Sequence, residues 1–356
     1  MAYDYEYMPL EMETDEFETG YEELETDSEE LEAADFEFET GARVQRIVPY
    51  PRIGDKSAFQ DDEADEFEFA QELDQEIFLP DTRKVVTDTT KVPFRFICHL
   101  SIGYESEDRK VQGSGTASGT LIGRLHVLTC GHALKIKMPN GTVLMARKIT
   151  VTPGRNSAHA KHSEWKPFGS VGVKSFKAHD NWVKSFDFQY DFGLLTLKSD
   201  IGGKKFRSLG NKPLGCWGAT GGTSLTPLDP ATLAKKLVNM GGYPGDKCGA
   251  DPKSAVKSCA RGKDSTAQFV AYDEVIDPKP PGEPHLIYHK ADLKAGQSGA
   301  PLWRWEKATG KRYLVGIQST ETANIAADGT RTPLRNSAVR VTAKMMDDLK
   351  KWGWVV

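Results

Sequence analysis

From Lys91 onward, short runs of apolar and β-branched residues alternate with clusters of Gly, Pro, Asn and Asp. Runs of this length, bounded by turn residues, are typical of β-strands, and many of them in succession indicate an all-β sandwich or barrel. The pattern predicts strands at 94–100, 119–122, 126–129, 142–152, 192–197, 237–240, 268–272, 286–288, 313–318 and 337–341.

The strand pattern ends near the carboxyl terminus. Residues 342–352 carry Met345, Met346, Leu349 and Trp352 at helical spacing, and Thr342 precedes them as a candidate N-cap. We therefore expect the chain to close with a helix at 342–352 that packs on the β-structure.

Charge is divided unevenly along the chain. Residues 1–76, the leader, contain 27 Asp and Glu against four Lys and Arg, whereas residues 77–356 contain 24 acids and 42 bases. The leader alternates acids with Phe, Tyr and Leu, and such a segment buries too little apolar surface to offset its conformational entropy. We expect it to be disordered when isolated. It either lies against the basic body or remains a solvated acidic tail.

The same survey weighs against several classes of partner. The basic residues of the body are scattered, without the stripe of bases and aromatics that a nucleic-acid site requires. No run of about 18 apolar residues predicts a membrane span. The first 30 residues are acidic and do not resemble a signal peptide, so the export route is open.

Five cysteines are present, and no two have the spacing of a zinc or redox site. A disulfide between Cys248 and Cys259 is one expectation, Cys98–Cys130 is a weaker one, and five reduced thiols are the third. The group His159, His162, Glu164 and His179 has no recognised ligand spacing and is interpreted as a solvated loop. We predict neither a metal nor a cofactor.

Three short phrases could carry chemistry. Thr-Cys-Gly-His delivers His132 after an apolar strand, Tyr-Asp-Phe-Gly places Asp191 before one, and Gly-Gln-Ser-Gly presents Ser298 in a glycine-rich turn. Each phrase is common when taken alone. Together, in the order His, Asp, Ser and within an all-β pattern, they indicate a catalytic triad.

These residue types suit nucleophilic catalysis. A serine hydroxyl needs a neighbouring base to take its proton, and histidine titrates close to neutral pH. A buried carboxylate holds that histidine in one tautomer. The backbone N–H groups of Gly296 and Ser298 could stabilise the oxyanion of the tetrahedral intermediate. Activity should rise as His132 loses its proton, near neutral pH.

At these residues the sequence resembles the trypsin-like serine peptidases, and more closely their bacterial glutamyl endopeptidase branch. The phrases around Asp191 and Ser298 resemble the motifs of that branch, as does the run from Ser118 to His132. Residues 238–247, Val-Asn-Met-Gly-Gly-Tyr-Pro-Gly-Asp-Lys, are similar to another, and 77–80 followed by 87–90 resemble the start of its mature enzymes. The resemblance covers residues 77–356.

The resemblance implies a serine protease domain at 77–356 of two six-stranded antiparallel β-barrels with the active site between them. The first barrel is expected at about 91–205 and the second at about 206–341. It also implies a secreted enzyme whose residues 1–76 are a propeptide, removed by cleavage between Glu76 and Ile77. The acidic propeptide would then be an intramolecular inhibitor that docks on the basic body and delays activity.

Specificity is less clear, because the sequence departs from the pattern of the branch. Gln297 stands where trypsin has an aspartate, and Gln318 and Leu293 replace the histidine and threonine that select glutamate. Asp292 occupies the position of the trypsin pocket base and Glu321 is close by in sequence, which favours Lys or Arg on charge grounds. Basic, acidic and other preferences all stay open.

The expected function is therefore hydrolysis of peptide bonds in protein or peptide substrates through an acyl-enzyme on Ser298. Two alternatives compete with it. In one, the chain is an inactive relative that uses its barrels as a binding module. In the other, the acidic leader is a delivery signal and the protease is its cargo.

Overall fold

The computed structural model of the chain describes residues 43–48, 52–53, 78, 80–156, 165–246, 267–328 and 330–356. The first-half strands are β1 (Arg43–Ile47), β2 (Arg52–Ile53), β3 (Lys84–Val85), β4 (Ile97–Ser106), β5 (Gln112–Gly123), β6 (His126–Thr129), β7 (Lys135–Lys137), β8 (Val143–Pro153), β9 (Val171–Ala178) and β10 (Gly193–Leu197). The second-half strands are β11 (Lys205–Phe206), β12 (Lys212–Pro213), β13 (Thr223–Ser224), β14 (Leu237–Gly242), β15 (Phe269–Asp277), β16 (Leu286–His289), β17 (Pro301–Glu306), β18 (Lys311–Ile325) and β19 (Arg331–Arg340). The α-helices are α1 (Asp180–Ser185) and α2 (Ala343–Lys351).

Two antiparallel barrels form the body, as expected. In the first, the strand order is β5-β4-β8-β9-β10-β6, and pairing of β5 with β6 closes the ring. In the second, the order is β18-β17-β14-β15-β16-β19, and β18 pairs with β19 to close it. Closure removes the exposed strand edges that an open sheet would present.

Apolar side chains fill each barrel. Leu100, Leu121 and Leu195 are fully buried in the first, and Val238 and Leu302 are fully buried in the second. Such packing, at about 1.5–3 kcal/mol for each fully buried aliphatic side chain, provides a rigid frame for residues contributed by loops.

The carboxyl-terminal helix is confirmed. Thr342 caps α2 by accepting a hydrogen bond of 3.0 Å from the amide of Met345, and Met345 and Leu349 are buried. The indole N–H of Trp354 then donates to the carbonyl of Ile122 at 2.8 Å. Although α2 follows the second barrel in sequence, this contact ties the chain end to the first barrel. No helix in the described part of the chain is both long and apolar enough to span a membrane.

The leader is described only at residues 43–48 and 52–53. There, β1 pairs antiparallel with β18 of the second barrel, and β2 pairs antiparallel with β5 of the first. In this short stretch the edges of β18 and β5 supply hydrogen-bond partners that an isolated segment lacks, so the pairing leaves open the expectation of disorder in isolation. The remainder of the leader, with Glu76 and Ile77, lies outside the described residues.

Three cysteines are described, and all are buried free thiols: Cys98, Cys130 and Cys216. The Cys98–Cys130 disulfide is therefore wrong. The Cys98 thiol instead contacts the carbonyl of Phe96 at 3.4 Å, and Cys130 lies beside His132. The predicted Cys248–Cys259 disulfide lies outside the described residues.

Candidate active site

His132 and Asp191 form a buried pair at the edge of the first barrel. The turn after β6 presents the histidine, and a 3₁₀ turn at 188–190, just before β10, presents the aspartate. The two Asp191 oxygens accept separate hydrogen bonds of 2.7 Å, Oδ1 from the His132 amide and Oδ2 from Nδ1 of the ring. Since a carboxylate only accepts, Nδ1 carries a proton and Nε2 is directed away from Asp191.

Close packing leaves little freedom to this pair. A Cβ on Gly131 would lie 2.8 Å from the ring of Trp182 and 3.1 Å from Oδ1 of Asp191, so glycine allows the backbone to approach the carboxylate. His132 is 3% exposed and Asp191 is fully buried. The pair is thus held in a single orientation, away from solvent.

The second barrel also contributes to the pair. Ser319, on β18, donates its hydroxyl hydrogen to Oδ2 of Asp191 at 2.5 Å. Asp191 therefore accepts bonds from both barrels, and its charge is satisfied on every side that the structure describes. Nothing in the sequence around Ser319 distinguishes it, so sequence analysis missed this contact.

Ser298 stands in a tight turn, residues 296–299, here called the serine turn. Gly296 and Gly299 have φ of +94° and +80°, which favour glycine. A Cβ on Gly299 would meet Oγ1 of Thr129 at 2.2 Å and the amide nitrogen of Cys130 at 2.9 Å. The serine turn therefore packs against the chain just before His132.

Ser118, on β5, holds the serine turn from the first barrel. Its amide donates to the carbonyl of Ser298 and its hydroxyl donates to the carbonyl of Gly296, both at 2.8 Å. The same hydroxyl accepts the amide of Tyr243 at 3.0 Å. This fully buried serine is a second residue that sequence analysis did not single out.

Ser298 and His132 lie on adjoining segments, since the serine turn packs against the chain just before His132. Among the hydrogen bonds of the described residues, none joins the Ser298 hydroxyl to His132; Nε2 of His132 instead contacts the Cys130 thiol at 3.5 Å. Catalytic hydrogen bonds commonly tighten only when substrate is bound. Cys130, which sequence analysis offered only as a disulfide partner of Cys98, thus lies beside His132.

The amides of Gly296 and Ser298 have no hydrogen-bond acceptor among the described residues. The neighbouring amides do: Gln297 N bonds to the Lys294 carbonyl at 3.1 Å, and Gly299 N bonds to the Gln318 carbonyl at 2.8 Å. The two N–H groups expected to stabilise an oxyanion are therefore available to a ligand.

Two opposing effects act on His132. Burial disfavours the charged ring, but Asp191 and Cys130 together outweigh burial and raise the pKa of His132 well above 6.5. The neutral ring needed to accept a proton therefore becomes populated at higher pH than in an isolated histidine.

Asp292, which sequence analysis placed in the substrate pocket, binds residues 78–82 of the same chain. Its Oδ1 accepts the amide of Phe78, and its Oδ2 accepts the amide and hydroxyl of Thr82, all at 2.7 Å. The residue is 1% exposed. Three donors from residues 78–82 already satisfy this carboxylate, so the charge argument for Lys or Arg, one of the three preferences left open, loses its support.

The other expected pocket residues are also buried. Leu293 packs in the second barrel core, and Glu321, 1% exposed, is paired with Ile47 of β1. Oε1 of Gln318 accepts a hydrogen bond from Nε2 of His289 at 2.9 Å, and Nε2 of Gln318 donates to the carbonyl of Thr320 at 3.1 Å. His289 is therefore an interior residue of the second barrel.

The histidine-rich group of the sequence is only partly described. Residues 157–164 lie outside the described residues, and His179 caps α1 by accepting the amide of Asn181 at 3.1 Å. Within the described ranges no cluster of three or more His, Cys, Asp or Glu side chains could hold a metal ion.

No family model matches the chain, but two curated bacterial proteases are similar to it in sequence. A glutamyl endopeptidase of Bacillus licheniformis is 25% identical over 272 residues, 76% of this chain and 67% of that protein. An extracellular metalloprotease of Bacillus subtilis is 23% identical over 272 residues, 76% of this chain and 68% of that protein.

Among solved structures, a Glu endopeptidase in complex with MPD superposes with a TM-score of 0.52 at 20% identity, covering 78% of this chain and 99% of that chain. The chain therefore has the two-barrel fold of chymotrypsin-like serine peptidases. The resemblance to trypsin-like peptidases drawn from the motifs is confirmed.

Proposed function

We propose that the chain is a serine endopeptidase that hydrolyses peptide bonds through an acyl-enzyme. The observation that carries the proposal is the double hydrogen bond between His132 and Asp191 at 2.7 Å, buried beside the turn that presents Ser298. A serine hydroxyl next to an oriented imidazole is the arrangement that nucleophilic acyl transfer requires.

Each residue then has a defined task. Nε2 of His132 takes the proton of Ser298 as its Oγ attacks the scissile carbonyl, and later gives that proton to the leaving amine. Asp191 holds the tautomer and stabilises the imidazolium that forms. The amides of Gly296 and Ser298 donate to the oxyanion, and one such donor contributes about 3 kcal/mol to lowering the barrier. No cofactor takes part in this route.

Covalent labelling tests the proposal. A fluorophosphonate probe should modify wild-type protein at Ser298 and should not modify Ser298→Ala. The competing binding module would leave both proteins unlabelled, although both would be folded by circular dichroism. Digestion of a peptide library, read by mass spectrometry, would then report the preferred residue before the cut. Glutamate preference is the specific alternative suggested by the relative from Bacillus licheniformis.

We further propose that residues 1–76 are removed by cleavage after Glu76 and that the enzyme acts outside the cell. The contrast in charge between leader and body supports a separate leader. Anchoring of Phe78 and Thr82 on Asp292 supports a mature chain whose start is attached to the second barrel. Amino-terminal sequencing of the active form tests the position of the cut, and tracking a fusion of residues 1–76 tests a delivery role.

A further inference from the structure

One stretch of the leader differs from the rest. Residues 43–53 include Arg43, Arg46 and Arg52 and contain no acid, although the leader as a whole has 27 acidic residues. The two described pieces of the leader, residues 43–48 and 52–53, lie in this stretch, and these two pieces together are here called the cleft strand. The two pieces pair with different barrels.

The first piece occupies an edge next to the serine turn. β17 covers β18 from Lys311 to Ile317, and beyond Ile317 that edge is open to β1, which pairs with Glu321–Ile325. Because the pairing is antiparallel, with Ile47 opposite Glu321, the carboxyl-terminal end of β1 is directed toward Gln318. The amide and carbonyl of Gln318 bond to Ala300 and Gly299, so this direction leads to Ser298, about 10 Å along the strand.

The second piece lies on the opposite wall. Arg52 pairs with Ser114 on β5, and four residues farther along β5, Ser118 binds the carbonyl of Ser298. Val48 and Arg52 are four residues apart, a distance of at most about 14 Å for an extended chain. The cleft strand therefore starts on one wall of the cleft and resumes on the other, with the serine turn bonded to both.

Buried side chains anchor β1 at its carboxyl-terminal end. Ile47 and Val48 are 7% and 9% exposed, and Val48 belongs to the apolar cluster that includes residues of both barrels, whereas Val44 is 61% exposed. Arg46 forms a 2.7 Å ion pair with Glu283 and its guanidinium lies 4.9 Å from the ring centre of Phe188. β1 thus contacts both barrels, although its backbone pairs with the second.

We propose that the cleft strand is a built-in competitive inhibitor, which adds as a β-strand to β18 and β5 and so excludes peptide substrates until it is removed. The inference rests on the proposed endopeptidase function. Strand addition uses backbone pairing for affinity and side-chain burial for selectivity. It differs from docking of the acidic leader on a basic body, because the contacting stretch is itself basic and apolar.

Full-length variants test the inhibitor. Ile47→Asp/Val48→Asp places charges at the two buried positions, and Val44→Asp is the matched control at the exposed position of the same strand. Fluorophosphonate labelling of Ser298 and hydrolysis of a peptide substrate should be faster by about tenfold or more in the double variant and unchanged in the control. Intact mass should verify that the leader is still attached during the measurement.

The outcomes separate the two proposals. Equal labelling of wild type, double variant and control would overturn the inhibitor while leaving the endopeptidase intact. Absence of labelling in all three proteins would overturn both.

A binding measurement tests strand addition without catalysis. A fluorescent peptide with the sequence of residues 43–53 should bind the full-length Ser298→Ala/Ile47→Asp/Val48→Asp chain, measured by polarisation. The same peptide with Asp at both buried positions should not bind. Binding by strand addition should persist at high salt. Docking by opposite charges would instead weaken, because salt screens those charges. Failure of the unaltered peptide to bind would overturn strand addition.

Discussion

The hydroxyl of Ser319 donates a 2.5 Å hydrogen bond to Oδ2 of Asp191, which joins β18 of the second barrel to a carboxylate presented by the first. The same Oδ2 accepts the proton of His132 Nδ1. Ser319 is therefore a positioning residue that acts on the base through Asp191, and it couples the relative placement of the barrels to the orientation of the imidazole.

Removing that hydroxyl should reduce turnover. A hydrogen bond to a charged group contributes about 1.5–3 kcal/mol, so Ser319→Ala should lower kcat about tenfold with little change in KM. Ser337→Ala is the matched control, since the buried Ser337 hydroxyl has no hydrogen-bond partner among the described residues. Steady-state kinetics that show the same kcat for both variants would contradict the positioning role.

The pH dependence should be shifted to the alkaline side. The pKa of His132 lies well above 6.5 because the combined effect of Asp191 and Cys130 exceeds that of burial, and His132 must be neutral to accept a proton. The rising limb of kcat/KM against pH should therefore lie above that of an ordinary histidine.

Asp191→Asn tests the cause of that shift. It should lower kcat by about 10⁴-fold, as loss of the orienting carboxylate does in the well-studied serine protease triad, and should move any residual rising limb to lower pH. Asp328→Asn, at an exposed position, should leave the profile unchanged. An unshifted limb in Asp191→Asn would show that Asp191 does not set the pKa of His132.

The serine turn should not tolerate a side chain at Gly299. Beyond the cost of φ at +80°, a Cβ there would lie 2.2 Å from Thr129 Oγ1 and 2.3 Å from the Ser118 carbonyl. Gly299→Ala should therefore displace Ser298 and lower kcat/KM by about 100-fold or more. Gly310 has φ of +61° with open space around it, so Gly310→Ala should cost only about 1 kcal/mol of stability and no activity. Kinetics and urea unfolding of the two variants provide the comparison.

Acid should destabilise the protein through His289. Burial lowers the pKa of His289 from 6.5 to about 4, against the opposing hydrogen bond with Gln318. The unfolded state therefore binds more protons than the folded state between these two values. Stability from the neutral ring is complete above about pH 6.5 and is lost as the pH falls toward 4, by about 3 kcal/mol.

Urea unfolding across that pH range measures the effect. His289→Gln removes the titrating ring, so its free energy of unfolding should fall less steeply than that of wild type over the same interval. Parallel curves for the two proteins would rule out His289 as a source of the acid sensitivity.

Local patterns in the sequence carried much of the fold. The helix at 342–352 was predicted from the spacing of Met345, Met346 and Leu349 and from the Thr342 cap, and α2 occupies Ala343–Lys351. Strand runs separated by turn residues likewise predicted the β-rich body. Both predictions were possible because periodicity and capping depend on residues close together in the chain. The short helix α1 was not predicted, because only six residues form it.

In the candidate site, too, some residues could be predicted from local sequence and others could not. His132, Asp191 and Ser298 could be named from sequence because nucleophilic catalysis demands these side chains, and glycine and apolar neighbours set them apart from their surroundings. Ser118 and Ser319 carry no local signal, because their roles depend on carbonyl and carboxylate partners more than 100 residues distant in the chain.

Asp292 illustrates why identity at a position was insufficient. A carboxylate there is compatible with binding a basic substrate, yet the structure gives its oxygens to the amides of Phe78 and Thr82. The order of residues along the chain fixes their chemical type, their helical or strand periodicity and the division of charge. These properties could therefore be predicted from the sequence. Closure of the barrels decides the hydrogen-bond partners, the burial of side chains and the pairing of β1 with β18. Closure brings together groups that are far apart in the sequence, so no local pattern could predict these contacts.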